Sequence, residues 1–287
     1  MTNFSELKFS LASAEPEGRP DAPLVLCLHG FPDDFRTFDA LLPRLAAAGF
    51  RAAAPMLRGY EPGTQVADYD YRLENLALDV VDWLDHFQVE QAHLIGHDWG
   101  AAIAYTVAGL RPERFLSVTT AAVPQMKYFV RAIWARPVQV LNSWYMGFFQ
   151  LPGLPESRIQ KNDFAFLDKL WRDWSPGWNH APSEIASVKE TFRAPGVVEA
   201  ALAYYRALPA YLLRDDRAGW RTSVPVMAVT GERDGCIDTR LFDDMKKSTA
   251  FTGGLRVERM ADAGHFMHRE KPDEFGDLIV QWLRDNN

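Results

Sequence analysis

The feature that most restricts the fold of this chain is a turn. An apolar segment, Ala92 to Ile95, runs into Gly96-His97-Asp98-Trp99-Gly100, and the residues after it, Ala101 to Leu110, carry helical spacing. A strand that becomes a helix this abruptly needs a sharp backbone bend, and glycines on both sides of Asp98 permit one. The bend lifts Asp98 clear of the sheet edge. With 19 glycines in 287 residues, Gly-x-x-x-Gly spacing also arises by chance, so the strand before and the helix after give the motif its weight. Taken alone, Asp98 also suits a helix N-cap, as the lesser alternative.

The surrounding chain has the alternating pattern of a mostly parallel sheet covered on both faces. Strand-like runs at 23–30, 51–60, 92–97 and 115–123 are separated by helical periodicity at 37–50, where Gly49 is a stop signal, at 71–87 and at 99–110. From about Gln125 to Trp220 the pattern changes. This segment is rich in Trp, Tyr and Phe, is broken at 152–156 and 175–178, and has helical stretches without strand partners. Strand patterns return at 223–235 and 255–265, and an amphipathic helix opening at Pro272 ends the chain. The reading is an α/β fold with an inserted helical cap: core at 1–124, cap at 125–220 and core again at 221–287.

Composition narrows the partners. The chain is 47% hydrophobic and has 31 lysines and arginines against 38 acids, a net charge of −7. Without a basic run there is no electrostatic footprint for nucleic acid, and a small uncharged or apolar ligand fits better. The first residues lack the apolar core of a signal peptide, and no apolar run is long enough to span a bilayer, so a cytoplasmic location and no membrane partner are expected. Cys27 and Cys236, the two cysteines, cannot form a disulfide framework or a zinc cluster and read as packed thiols. No metal and no cofactor are expected.

Three further motifs give Asp98 a chemical reading. His29-Gly30-Phe31-Pro32 follows the first strand, and the Phe31 and Trp99 backbone N–H groups together would form an oxyanion hole; His29 reads as a hydrogen-bonding residue that shapes the loop. Gly231-Glu232-Arg233-Asp234-Gly235 closes a later strand. Asp234, just before a glycine, is favoured as the acid, with Glu232 and Asp238 as competitors. Ala263-Gly264-His265-Phe266 supplies a histidine at a strand exit; His268, further into a charged run, reads as a surface or supporting residue. Nucleophile, acid, histidine is the order in which the α/β-hydrolase fold presents its triad.

With His-Gly-Phe-Pro, Gly-His-Asp-Trp-Gly, Gly-Glu-Arg-Asp-Gly and Ala-Gly-His-Phe in hand, the chain resembles the epoxide hydrolase branch of the α/β-hydrolase superfamily, near the haloalkane dehalogenases, over nearly its full length. The resemblance implies an aspartate nucleophile at Asp98. Dehalogenases usually place Asn after His-Gly, where this sequence has Phe31, and fluoroacetate dehalogenases place Arg after the nucleophile, where it has Trp99. Trp144 to Gln150 is similar to the cap segment carrying one epoxide-activating tyrosine, which points to Tyr145. Tyr204-Tyr205-Arg206 is similar to the family's Trp-Tyr-Arg and points to Tyr205. Either could instead be a core aromatic. Arg58-Gly59-Tyr60 also recurs in the family and is assigned a structural role. Trp171, Trp174 and Trp178 imply an apolar cap, as packing more than as specificity determinants.

The chemistry agrees with these residue types. Displacement at a saturated carbon suits a carboxylate, ionised at pH 7 without a base to activate it. The resulting ester has a carbonyl that water can attack once His265, oriented by Asp234, takes a proton. An epoxide's leaving oxygen needs a proton, which phenols can supply; a halide does not. The expected activity is epoxide hydrolysis to a vicinal diol, with the epoxide and water as partners and a monomer or homodimer as the assembly. A dehalogenase using the same triad and a non-catalytic small-molecule receptor are the alternatives.

Overall fold

A computed structural model describes residues 7–66, 70–212 and 220–287. Along the chain it forms β1 (Leu11–Ala14), β2 (Leu24–Leu28), α1 (Leu41–Ala47), β3 (Arg51–Pro55), α2 (Leu73–His86), β4 (Ala92–His97), α3 (Trp99–Leu110) and β5 (Phe115–Ala121). The helices α4 (Met126–Ala135), α5 (Pro137–Asn142), α6 (Trp144–Phe148), α7 (Leu154–Trp174), α8 (Ala186–Arg193) and α9 (Val197–Leu212) follow. The chain then returns through β6 (Val226–Gly231), α10 (Arg240–Lys246), β7 (Leu255–Met260), α11 (Met267–Glu270) and α12 (Pro272–Asp285). The seven strands form one sheet in the order β1-β3-β2-β4-β5-β6-β7. All neighbours are parallel except β1 against β3. This is the α/β-hydrolase fold anticipated from the pattern.

Strands buried on both faces read as continuous apolar runs, and β2, β4 and β6 are buried at every position. The pleat divides β2 between two cores. Leu24, Leu26 and Leu28 join α2, α3 and the inserted helices on one side, while Val25 and Cys27 join Leu42 and Leu45 of α1 and Ile279 and Leu283 of α12 on the other. Strand β1 was not anticipated; its four residues, Leu-Ala-Ser-Ala, carry too little β-branched or aromatic character to signal a strand.

Ligands of open parallel sheets sit beyond the carboxyl ends of the strands. Phe31, Asp98, Asp234 and His265 follow β2, β4, β6 and β7 at that edge. The helical excursion between β5 and β6 lies where the sequence grammar changed, although part of its expected C-terminal end, 213–219, is outside the described residues. It is pinned to the strand loops by the Trp171 indole N–H donating to the Pro32 carbonyl (2.9 Å) and the Tyr204 hydroxyl donating to the Arg58 carbonyl (2.6 Å). Among the described residues, no helix is long and apolar enough to cross a membrane.

Candidate active site

Asp98 has φ 52° and ψ −113°, a conformation that costs a non-glycine residue energy and persists only where its surroundings impose it. The neighbouring glycines make room for it. A Cβ on Gly96 would lie 2.2 Å from the Gly100 carbonyl oxygen, and one on Gly100 would lie 2.1 Å from that of Leu28. A Cβ on Gly30 would meet the Asp98 Cβ at 2.4 Å. The Asp98 side chain makes no capping bond to α3, so the N-cap reading does not hold. Its Oδ1 instead accepts the Phe31 N–H at 2.7 Å, and its Oδ2 lies 3.5 Å from His265 Nε2. The Trp99 N–H, the first of α3, has no acceptor within the helix.

His265 is fixed on several sides. Its Nδ1 is 3.0 Å from Asp234 Oδ2, its backbone N–H donates to the Trp174 carbonyl at 3.0 Å, and its carbonyl accepts from His97 Nε2 at 3.0 Å. Asp234 is held in turn, its Oδ1 accepting the backbone N–H groups of Cys236 (2.7 Å) and Ile237 (2.9 Å). Burial alone would make the imidazole less basic, but hydrogen bonds and charge from Asp234 and Asp98 outweigh it and push His265 up to about 10. For Asp98, burial favours the acid form, yet His265, His97 and the Phe31 N–H together hold the carboxyl below its usual range. The resting pair is a carboxylate beside an imidazolium.

Asp98 faces a small cavity of about 40 Å³, and the other reactive groups lining it are the Tyr145 and Tyr205 phenols. Most of the remaining wall is apolar, including Val123, Met126, Phe129, Leu208 and Ile237. The two tyrosine rings meet edge to face at 5.8 Å, brought together by α6 and α9. Burial drives both phenols well above their ordinary range, so they stay protonated. The Tyr145 hydroxyl lies 3.4 Å from Cys236 Sγ. His265 and Phe31 stand outside the lining, next to the Asp98 carboxylate.

The competing residues separate clearly. The Asp238 carboxylate is gripped by Arg240 at 2.7 Å and lies 3.8 Å from Arg136, while Glu232 is exposed; Asp234 is the acid that reaches His265. His268 is not a surface residue, correcting that half of the expectation. It is buried, with Nε2 2.6 Å from Thr37 Oγ1 and its ring 4.3 Å from that of His97. His29 accepts the Leu57 N–H at 3.0 Å and ties down the loop. Arg58 forms a buried pair with Asp79 (Nε to Oδ2, 2.6 Å), and Tyr60 packs edge-on against His29 at 4.7 Å.

Trp171, Trp174 and Trp178 do not line the cavity. Trp171 stacks on Trp178 at 5.4 Å, and Trp174 packs 5.0 Å from both Tyr145 and His265. The residues not singled out from sequence are His97, Gln139 and the Cys236 side chain as a neighbour of Tyr145. His97, Asp33 and His268 bring ligand-type atoms within 4.8 Å of one another in a buried cluster. Arg269, 3.7 Å from Asp33, already supplies positive charge there.

The match to known proteins follows the geometry. Residues 23–272 match the family model for the alpha/beta hydrolase fold. The chain belongs to the α/β-hydrolase family. This hydrolase is 31% identical over 274 residues to the AB hydrolase superfamily protein YfhM of Bacillus subtilis, covering 93% of this chain and 92% of that one. It is 28% identical over 287 residues to human Epoxide hydrolase 4, covering 98% and 77%. In fold it superposes on the epoxide hydrolase of Bacillus megaterium with a TM-score of 0.85 at 23% identity, covering 99% of both chains.

Proposed function

We propose that this α/β-hydrolase is an epoxide hydrolase, converting an epoxide to a vicinal diol through an alkyl ester on Asp98. One observation carries the reading: an ionised carboxylate on a strained elbow shares a small apolar cavity with two protonated phenols. Asp98 Oδ2 attacks a ring carbon, the carbon–oxygen bond breaks, and a phenol protonates the departing oxygen. Oδ1, already on the Phe31 N–H, becomes the ester carbonyl oxygen. Water then attacks that carbonyl as His265, oriented by Asp234, takes its proton. The Phe31 and Trp99 N–H groups stabilise the tetrahedral oxyanion, a contribution of about 2.7 to 4 kcal/mol per donor in comparable sites. The reaction needs no cofactor. In this reading residues 125–220 act as a cap that carries Tyr145 and Tyr205 over the nucleophile.

The paired phenols separate this reading from a dehalogenase, since halide departure needs no proton, and Phe31 provides no side-chain donor for a halide. The test is a single turnover with enzyme in excess in oxygen-18 water. Label should enter the Asp98 carboxylate, leaving the first diol unlabelled, and Asp98→Asn should abolish turnover. Label in the first diol instead would mean direct attack by water and would overturn the reading. His265→Gln should accumulate an adduct of substrate mass on Asp98.

A further inference from the structure

We propose that Cys236 is a positioning residue for Tyr145, its thiol holding the phenol ready to protonate the leaving oxygen. The inference rests on the alkyl-ester reading above. Cys236 is buried and its backbone is fixed on both sides: its N–H donates to Asp234 Oδ1 at 2.7 Å, and its carbonyl accepts from Gln139 Nε2 at 3.1 Å. The same Gln139 accepts the Asp238 N–H at 2.8 Å. The buried Sγ carried on this backbone sits 3.4 Å from the Tyr145 hydroxyl. The Tyr205 hydroxyl, buried in the same cavity, is met by a different group, the Trp99 side chain. The two phenols thus rest on different groups, a thiol for Tyr145 and an indole for Tyr205.

A thiol is a weak donor and a weak acceptor, and both roles serve the reaction. With no epoxide present, the Tyr145 O–H can point to Sγ; when an epoxide oxygen arrives, the phenol turns to it at small cost and the S–H donates to the phenol oxygen instead. As Asp98 Oδ2 bonds to carbon, the ring carbon–oxygen bond breaks, its electron pair stays on oxygen, and that oxygen takes the Tyr145 proton. The phenolate left behind keeps the S–H hydrogen bond. Ester hydrolysis consumes one water, whose two protons restore Tyr145 and complete the second hydroxyl.

The test compares Cys236→Ala, Cys236→Val and Cys236→Ser in the His265→Gln background, with styrene oxide as the probe and rapid-quench intact mass following ester formation on Asp98. Variants that retain His265 report the decay of the ester separately. Without a donor, Ala and Val should slow ester formation about three- to tenfold, the scale of a modest hydrogen bond. Ser, which restores a donor, should stay within about twofold of the parent, and ester decay should be unchanged in all three. Val fills the space that Ala leaves empty, so a cavity defect confined to Ala would not mimic the effect. Ester formation at the parent rate in Val, a loss in Ser equal to that in Val, or equal slowing of both steps would overturn the assignment. Absence of any ester in His265→Gln with Cys236 intact would instead overturn the alkyl-ester reading, and the role of Cys236 with it.

Discussion

Neutralising Asp98 should convert His265 from an imidazolium into a base. The Asp98 Oδ2 to His265 Nε2 separation is 3.5 Å; at an effective dielectric of about 20 this corresponds to about 5 kcal/mol of attraction between full charges. At 1.36 kcal/mol per tenfold change, loss of the Asp98 charge weakens proton binding by His265 by about three orders of magnitude. Starting from about 10, that brings the imidazole close to neutrality, where a general base is most effective. In the proposed alkyl-ester reaction, formation of the ester removes this charge, so the first chemical step itself would prepare the base for the second. Asp98→Asn mimics the neutral state without substrate. Histidine-selective isotope labelling and NMR titration should find the His265 ring protonated at pH 8 in the parent and neutral at pH 8 in the variant. A ring that titrates identically in both, or one already neutral at pH 7 in the parent, would refute the reasoning.

The same ion pair should make stability pH-dependent. The folded-state pKa of His265 is raised above its unfolded value, so its contribution is fully present below about 6.5 and is lost as pH rises through about 10; the urea midpoint should fall on the alkaline side, less so in Asp98→Asn. Gly100→Ala places a Cβ 2.1 Å from the Leu28 carbonyl oxygen, a backbone atom that cannot yield without moving β2. Overpacking of about 1–3 kcal/mol should lower Tm by several degrees in calorimetry, with diol formation falling further because Asp98 moves with the turn. Asp79→Ala leaves the buried Arg58 guanidinium unpaired and should cost about 3–5 kcal/mol in urea unfolding, while kcat of the folded enzyme is retained.

The turn at Asp98 and the fold around it were legible because each local signal agreed with the others. Fully apolar runs predicted doubly covered strands, and the glycines of the turn answer the close contacts that β2 and α3 impose. The choice among Asp234, Glu232 and Asp238 could not be made on spacing with the same force, since all three belong to one short segment. It is decided by partners distant in sequence: Asp238 is claimed by Arg136 from α5's entry and by Arg240, whereas the backbone of 236–237 turns Asp234 toward β7. His268 was misplaced toward the surface because its neighbours Arg269 and Glu270 are charged. Those charges are satisfied by Glu184 of the inserted segment and by Ser175, so the helix that carries them packs inward and buries the imidazole against His97. Cys236 shows the same limit from the other direction. Its sequence context predicts a packed thiol, and it is one; that the packing neighbour is the hydroxyl of Tyr145, 91 positions away, follows from how α6 folds over the end of β6, and no local pattern encodes that meeting.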